Sequence, residues 1–209
     1  MVGIGASAGG LPALKQLFGA VPSDIGMTFF VVMHLNPSLP TALVEVLSSA
    51  TSLPVRFVSD GATPEPGVVY VAPPGQQLKI DGGCMRMTPT SSAHRPIDGF
   101  LSSLAAHAGQ RAIGVLLSGA GSDGMLGLTS IRDAGGITLV QDDTAIFPGM
   151  AHAALEAGVV DLVASPEGIA EMLVGLRRKP YVQGELRLIE GGEGEVEGAL
   201  TPILVLLLQ

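Results

Sequence analysis

Three side chains in this sequence follow apolar, strand-like runs: Ser7, His34 and Asp123. Ser7 lies in Gly5-Ala6-Ser7-Ala8-Gly9, between the apolar stretch Met1 to Ile4 and Leu11 to Phe18, whose apolar residues have helical spacing. A serine flanked by small residues at a strand-to-helix turn fits the G-x-S-x-G elbow, which leaves the hydroxyl exposed. The helix start behind it offers unpaired N–H groups and a positive dipole end, which suit a developing oxyanion. His34 follows the apolar run Met27 to Met33, and Asp123 lies in the loop after Ala112 to Leu117. A hydroxyl nucleophile needs a base to take its proton, and the base needs a carboxylate to orient it and to stabilise the imidazolium. One chain supplies all three types, and the chemistry they would perform together is acyl transfer.

Each residue also has a plainer reading. Gly3-Ile4-Gly5-Ala6-Ser7-Ala8 fits the looser G-x-G-x-x-A of dinucleotide sites, though that reading wants an acid at the end of the second strand, where His34 stands. Ser7 could simply cap the helix, Asp123 could cap the next one, and His34 could be a satisfied histidine at a strand end. Of the other histidines, His94 sits in a polar loop and could line the site, His107 lies near a helix end at the surface, and His152 is a structural residue within a helix. None has a second histidine or acid at metal-ligand spacing, so neither a metal nor a cofactor is expected. The chain order Ser…His…Asp also differs from the Ser…Asp…His of α/β-hydrolases, which carry strands ahead of the elbow.

The elements that must hold these residues can be read from periodicity. The chain has 209 residues, 47% hydrophobic and 14% charged, which excludes a disordered chain and favours strands buried on both faces. Strands are expected at Met1–Ile4, Met27–Met33, Val55–Val58, Val68–Ala72, Ala112–Leu117, Ile137–Gln141 and Val159–Val163. Helices are expected at Leu11–Phe18, about Leu39–Ala50, Asp98 (as N-cap) to His107, Met125–Ala134, Met150–Ala157 and Pro166–Arg178. Leu78-Lys79-Ile80 and Met85-Arg86-Met87 flank Asp81-Gly82-Gly83, a β-hairpin signal, placed at the sheet edge. The alternation implies an α/β fold: a doubly wound, mostly parallel sheet with helices on both faces. In such a sheet ligands sit at the carboxyl ends of the strands, which is where all three residues fall.

The net charge of −8 argues against a nucleic-acid partner, and part of it sits on Glu185, Glu190, Glu193, Glu195 and Glu197. The single cysteine, Cys84, can build neither a disulfide framework nor a thiolate zinc site. The expected setting is the cytoplasm, without membrane insertion. Residues 1–179 read as one catalytic domain and 180–209 as a linker with the start of a following segment.

The sequence resembles the catalytic domain of the chemotaxis protein-glutamate methylesterases. The matching stretches are Gly3-Ile4-Gly5-Ala6-Ser7-Ala8-Gly9-Gly10, His34-Leu35-Asn36-Pro37, Pro66 to Pro74, His94-Arg95-Pro96-Ile97-Asp98, Leu117 to Gly124, and Gly149-Met150-Ala151 onward to Asp161. They run in family order over roughly residues 2 to 175. The resemblance implies that Ser7 is the nucleophile, His34 the general base and Asp123 its orienting acid, with backbone N–H groups at Ala8, Ala120 and Gly121 holding the oxyanion. It implies demethylation of glutamate methyl esters on the cytoplasmic helices of methyl-accepting chemotaxis receptors, with release of methanol, and glutamine deamidation in some members. The chain departs from the usual pattern at Ala8, where threonine or serine is common, and at Ala120, where many members have methionine. No receiver domain precedes Ser7 here, so the usual phosphorylation switch is expected to be missing. The Ser118–Asp123 loop looks most like members fused to a receptor methyltransferase, and Ala199–Gln209 would then be the opening helix of that partner. Partners implied are the receptors, a fused or associated methyltransferase and a phosphorelay regulator. Two rival readings are a docking module of a fused signalling protein that keeps the triad with little turnover, and a nucleotide-binding α/β domain.

Overall fold

A computed structural model describes residues 1–34, 42–89 and 95–178 of the chain. The strands β1 (Val2–Ala6), β2 (Phe29–Met33), β3 (Val55–Phe57), β4 (Val69–Val71), β7 (Ile113–Leu116), β8 (Ile137–Gln141) and β9 (Leu162–Ala164) form one sheet. Its order is β3-β4-β2-β1-β7-β8-β9, and every pairing is parallel. From β1 the chain first winds outward through β2 to the β3 edge, then returns to β7 and winds the other way. The reversal falls between β1 and β7, the position where open α/β sheets hold their ligands.

The two faces of the sheet have separate cores. Val2, Ile4 and Ala6 of β1 point into the face covered by α1 (Gly10–Ala20), α2 (Leu43–Ser48) and α6 (Pro166–Arg178). Phe30, Val32, Leu116 and Val140 point into the other, covered by α3 (Pro96–Ala108), α4 (Met125–Asp133) and α5 (Gly149–Glu156). The alternation Val2-Gly3-Ile4-Gly5 serves this arrangement. A β-carbon on Gly3 would meet Leu101 Cδ2 at 2.6 Å, and one on Gly5 would meet Ile97 Cγ2 at 2.4 Å. Glycine on that face lets α3 lie directly against the central strand, with Phe100, Leu101 and Leu104 fully buried.

The hairpin forms, as β5 (Gln76–Asp81) and β6 (Cys84–Pro89). Its turn residues Gly82 and Gly83 both have positive φ, 57° and 81°, which is the reason for two glycines there. It is a separate two-stranded sheet, not an added edge strand. Its apolar face, Leu78, Ile80 and Met85, packs on the α3 core, and Ile80 N–H donates to Ser103 Oγ on α3 at 3.0 Å.

Most strands and helices end within two residues of the sequence expectation, and β1 runs on to Ala6, directly before Ser7; two differences have a clear physical cause. The strand expected at Val159–Val163 lies at Leu162–Ala164, because Val159 is drawn into the α5 core instead. Helix α3 starts at Pro96, so Asp98 stands in its first turn and does not cap it; its side chain serves another helix. His94 and residues 180–209 lie outside the described residues, as does the start of the helix expected from Leu39.

Candidate active site

Ser7 is the first residue after β1, and its setting is fixed by the loop that leaves β7. Ser7 N–H donates to Ser118 O at 3.0 Å, and Ser118 Oγ donates to Ala8 O at 2.9 Å. Ser118 Oγ in turn accepts the N–H of Phe147 at 3.0 Å, while Ser118 N–H donates to Gln141 Oε1 at 2.9 Å. Ser118 and Gln141 are buried, so this polar knot depends on being fully satisfied. Gly9 completes the turn with φ 69°, and a β-carbon there would press on Ser118 Oγ at 2.7 Å. The sharp turn after Ser7 therefore needs glycine for both conformation and space.

His34 is the first residue after β2, beside β1 in the sheet. Its Nδ1 lies 3.2 Å from Ser7 Oγ, and its Nε2 lies 2.8 Å from Asp123 Oδ2. If the imidazole carries its proton on Nε2, it donates to Asp123 and leaves Nδ1 free to accept the serine proton. Asp123 reaches this position from the loop between β7 and α4, and only 7% of its side chain is exposed, against 37% for His34.

The Asp123 carboxylate is anchored by a second helix. Oδ2 also accepts the N–H of Ile97 at 3.1 Å, and Oδ1 accepts the N–H of Asp98 at 3.0 Å, both at the start of α3. Asp98 returns the arrangement: its Oδ1 accepts the N–H groups of Gly124 and Gly127, each at 2.8 Å, at the start of α4. Asp123, in the loop before α4, thus satisfies N–H groups at the start of α3, and Asp98, on α3, satisfies those at the start of α4. Burial works to raise the Asp123 pKa, yet the His34 hydrogen bond and the α3 N–H groups together hold it below the ordinary carboxylate value. Burial raises that of Asp98, and the nearby Asp123 charge adds to it.

All three residues singled out from the sequence meet in one hydrogen-bonded line. Of the suggested oxyanion donors, Ala8 follows Ser7 and Ala120 and Gly121 lie in the loop after β7; none of their N–H groups is used in a hydrogen bond among the described residues. His107 and His152 are exposed on α3 and α5 and take no part in this line. Among the described residues no His, Cys, Asp and Glu cluster has metal-site geometry. Ser118, Gln141 and Asp98 were not expected as site supports. Their sequence contexts read as loop, strand and helix cap, and the contacts that give them their roles join residues more than 20 positions apart.

Ser118→Ala should loosen this knot. It removes the partner of the Phe147 N–H and of the Ala8 carbonyl; both bonds are only part-buried, so the expected loss is about 1 kcal/mol in stability. Because Ala8 is covalently next to Ser7, kcat should fall by about tenfold with KM little changed. Paired melting curves and steady-state kinetics read both.

A family model described as CheB methylesterase matches residues 2–173. A protein-glutamate methylesterase/protein-glutamine glutaminase of Anaeromyxobacter dehalogenans is 37% identical over 187 residues, covering 85% of this chain and 54% of the relative. One from Xanthomonas campestris is 38% identical over 184 residues, covering 84% of this chain and 51% of the relative. The chain therefore spans about half the length of the curated relatives it matches. The crystal structure of the CheB methylesterase catalytic domain of Thermotoga maritima superposes with a TM-score of 0.77 at 30% identity, covering 84% of this chain and 97% of that one.

Proposed function

Since the chain belongs to the CheB methylesterase family, we propose that it is a serine hydrolase of protein-glutamate methyl esters, with Ser7, His34 and Asp123 as its triad. The observation that carries this reading is the unbroken line Ser7 Oγ, His34, Asp123 at the point where the sheet reverses direction. Ser7 Oγ attacks the ester carbonyl while His34 Nδ1 takes its proton. Asp123 stabilises the imidazolium through Nε2. His34 then gives the proton to the leaving methoxide, methanol departs, and water enters by the same base to release the glutamate side chain. A glutamine amide would follow the same route with ammonia leaving, which would make the glutaminase activity named for the relatives a second outcome of one site.

The oxyanion is assigned to the N–H groups of Ala8, Ala120 and Gly121. Gly149, the first residue of α5, supports this choice. A β-carbon on it would lie 3.0 Å from Gly121 N, so glycine there leaves that N–H uncovered. Gly149→Ala is expected to lower kcat by up to about 10²–10³-fold, the effect of one lost oxyanion donor, with KM nearly constant. An unchanged kcat in a folded variant would remove Gly121 from the oxyanion site.

The substrates we assign are the methylated glutamates of chemoreceptor cytoplasmic helices. The test is methanol release from methyl-labelled receptor membranes, run beside fluorophosphonate labelling of the chain. Release together with a label on the Ser7 peptide is the expected result. A label without release would leave a competent triad acting on another ester. Absence of both would favour the docking-module reading.

A further inference from the structure

Asp98 and Arg95 lie against the triad without belonging to it. Asp98 is buried at 7% exposure, and its Oδ1 accepts the two α4 N–H groups described above. Its Oδ2 is also buried and takes no hydrogen bond. The charge on Oδ2 is met instead by Arg95 Nε, 2.8 Å away, as an ion pair. The same Nε is 3.9 Å from Asp123 Oδ1. The Arg95 guanidinium is held in place by Ser122, donating to its carbonyl and to its Oγ. Two carboxylates thus face one arginine, and one of them must also serve His34. Among the described residues, the charged groups around Asp123 are His34, Arg95 and Asp98, and those around Asp98 are Arg95 and Asp123.

We propose that Asp98 is a positioning residue of the triad: by holding Arg95 to its own Oδ2 at 2.8 Å, it keeps the 3.9 Å contact of that guanidinium with Asp123 from closing into a direct pair, so that the Asp123 charge remains directed at His34. The proposal rests on the triad reading. Its physical basis is simple. Arginine pairs readily with a carboxylate through two N–H groups, and Asp123 Oδ1 is about one ångström beyond that contact. Without the Asp98 charge, the nearest anion to Arg95 is Asp123. A cation drawn onto Asp123 weakens the stabilisation of the His34 imidazolium and turns the carboxylate away from Nε2.

Asp98→Asn is the discriminating variant, because the amide oxygen can still accept from Gly124 and Gly127. The first readout is NMR titration of the His34 ring in the chain itself, assigned through the signal lost in His34→Gln. It needs no substrate. Asp98→Asn should move the His34 titration to lower pH. Adding Arg95→Gln should return it to the native value, since the net charge around Asp123 is then restored. The second readout is the pH profile of fluorophosphonate labelling at Ser7. In Asp98→Asn its acid limb should move down with the titration and its plateau should fall about tenfold, a part of the ~10²–10⁴-fold that a positioned base contributes. The double variant should recover the limb. Loss of the Asp98 charge acting through space alone would also lower the titration but would leave the downfield Nε2–H signal of the His34–Asp123 hydrogen bond in place, whereas re-pairing of Arg95 removes that signal in Asp98→Asn and restores it in the double variant; an unmoved titration, or a lowered one with that signal intact, overturns the proposal. If Asp98→Asn does not fold alone, the double variant carries the test, with a native His34 titration expected and a displaced one fatal. Failure of the native chain to label at Ser7 would count against the triad reading instead, and the titrations would still decide the Arg95 pairing.

Discussion

Ser7→Ala is expected to hydrolyse the glutamyl methyl ester on the order of 10⁴–10⁶-fold more slowly than the native chain, His34→Ala by a similar factor, and the double variant no more slowly than either. The reason is that the two side chains act in one event. In the proposed mechanism every step that His34 Nδ1 serves, 3.2 Å from Ser7 Oγ, follows from its taking the serine proton. Once the hydroxyl is gone, the base has nothing to activate, and removing it costs nothing further. Residual hydrolysis would come from water attacking an ester still held in the oxyanion site. Neither change should unfold the domain. Ser7 is fixed through its backbone N–H to Ser118 O, and alanine keeps that bond. His34 is 37% exposed, so its loss opens no sealed cavity. The measurement is single-turnover methanol release for the four chains of the cycle. Losses that multiply in the double variant would mean that Ser7 and His34 act independently, and the triad reading would fall.

What the sequence made legible follows from which interactions are local. The central strands are continuous apolar runs such as Phe29-Phe30-Val31-Val32, buried on both faces, and their period identifies them directly. Placing Ser7, His34 and Asp123 at strand ends was enough to predict that they meet, because parallel strands all present their carboxyl ends at one rim. The detached hairpin could not be seen that way. Its alternation is the same whether it pairs with an edge or packs on a helix, and the choice is made by Leu78, Ile80 and Met85 fitting the α3 core. Asp98 shows the same limit more sharply. An aspartate at a helix start reads as a cap, and it is one, but for α4 rather than for its own helix. Sequence spacing carries the tendency to cap; only packing decides which orphan N–H groups are within reach.

Asp123→Asn is expected to lower kcat by about 10⁴-fold and also to change how the fold responds to acid. Both carboxylate oxygens already accept backbone N–H groups, Oδ2 from Ile97 and Oδ1 from Asp98, so an amide nitrogen must face a donor whichever way it turns. Turned toward Oδ2, it also meets His34 Nε2 and drives the ring proton to Nδ1, where it blocks acceptance from Ser7. Turned toward Oδ1, it leaves a neutral oxygen on His34, which stabilises the imidazolium far less than a charge does. Catalysis fails in both orientations. The stability effect has a definite sign. The folded state holds the Asp123 pKa below its ordinary value, so the ionised group contributes stability that is present above the unfolded carboxylate pKa of about 3.9 and is lost as pH falls through the lowered folded value. Asp98, raised in the fold, has the opposite sign, its contribution being full below the unfolded value and lost as pH rises through the folded one. Removing the titration of Asp123 alone should therefore make the variant lose less stability than the native chain as pH falls from neutrality to below that range. Urea midpoints across that interval measure it. A native chain and variant with parallel acid profiles would show that Asp123 is not held ionised by His34 and the α3 N–H groups, and the electrostatic basis of the triad would have to be rebuilt on another group.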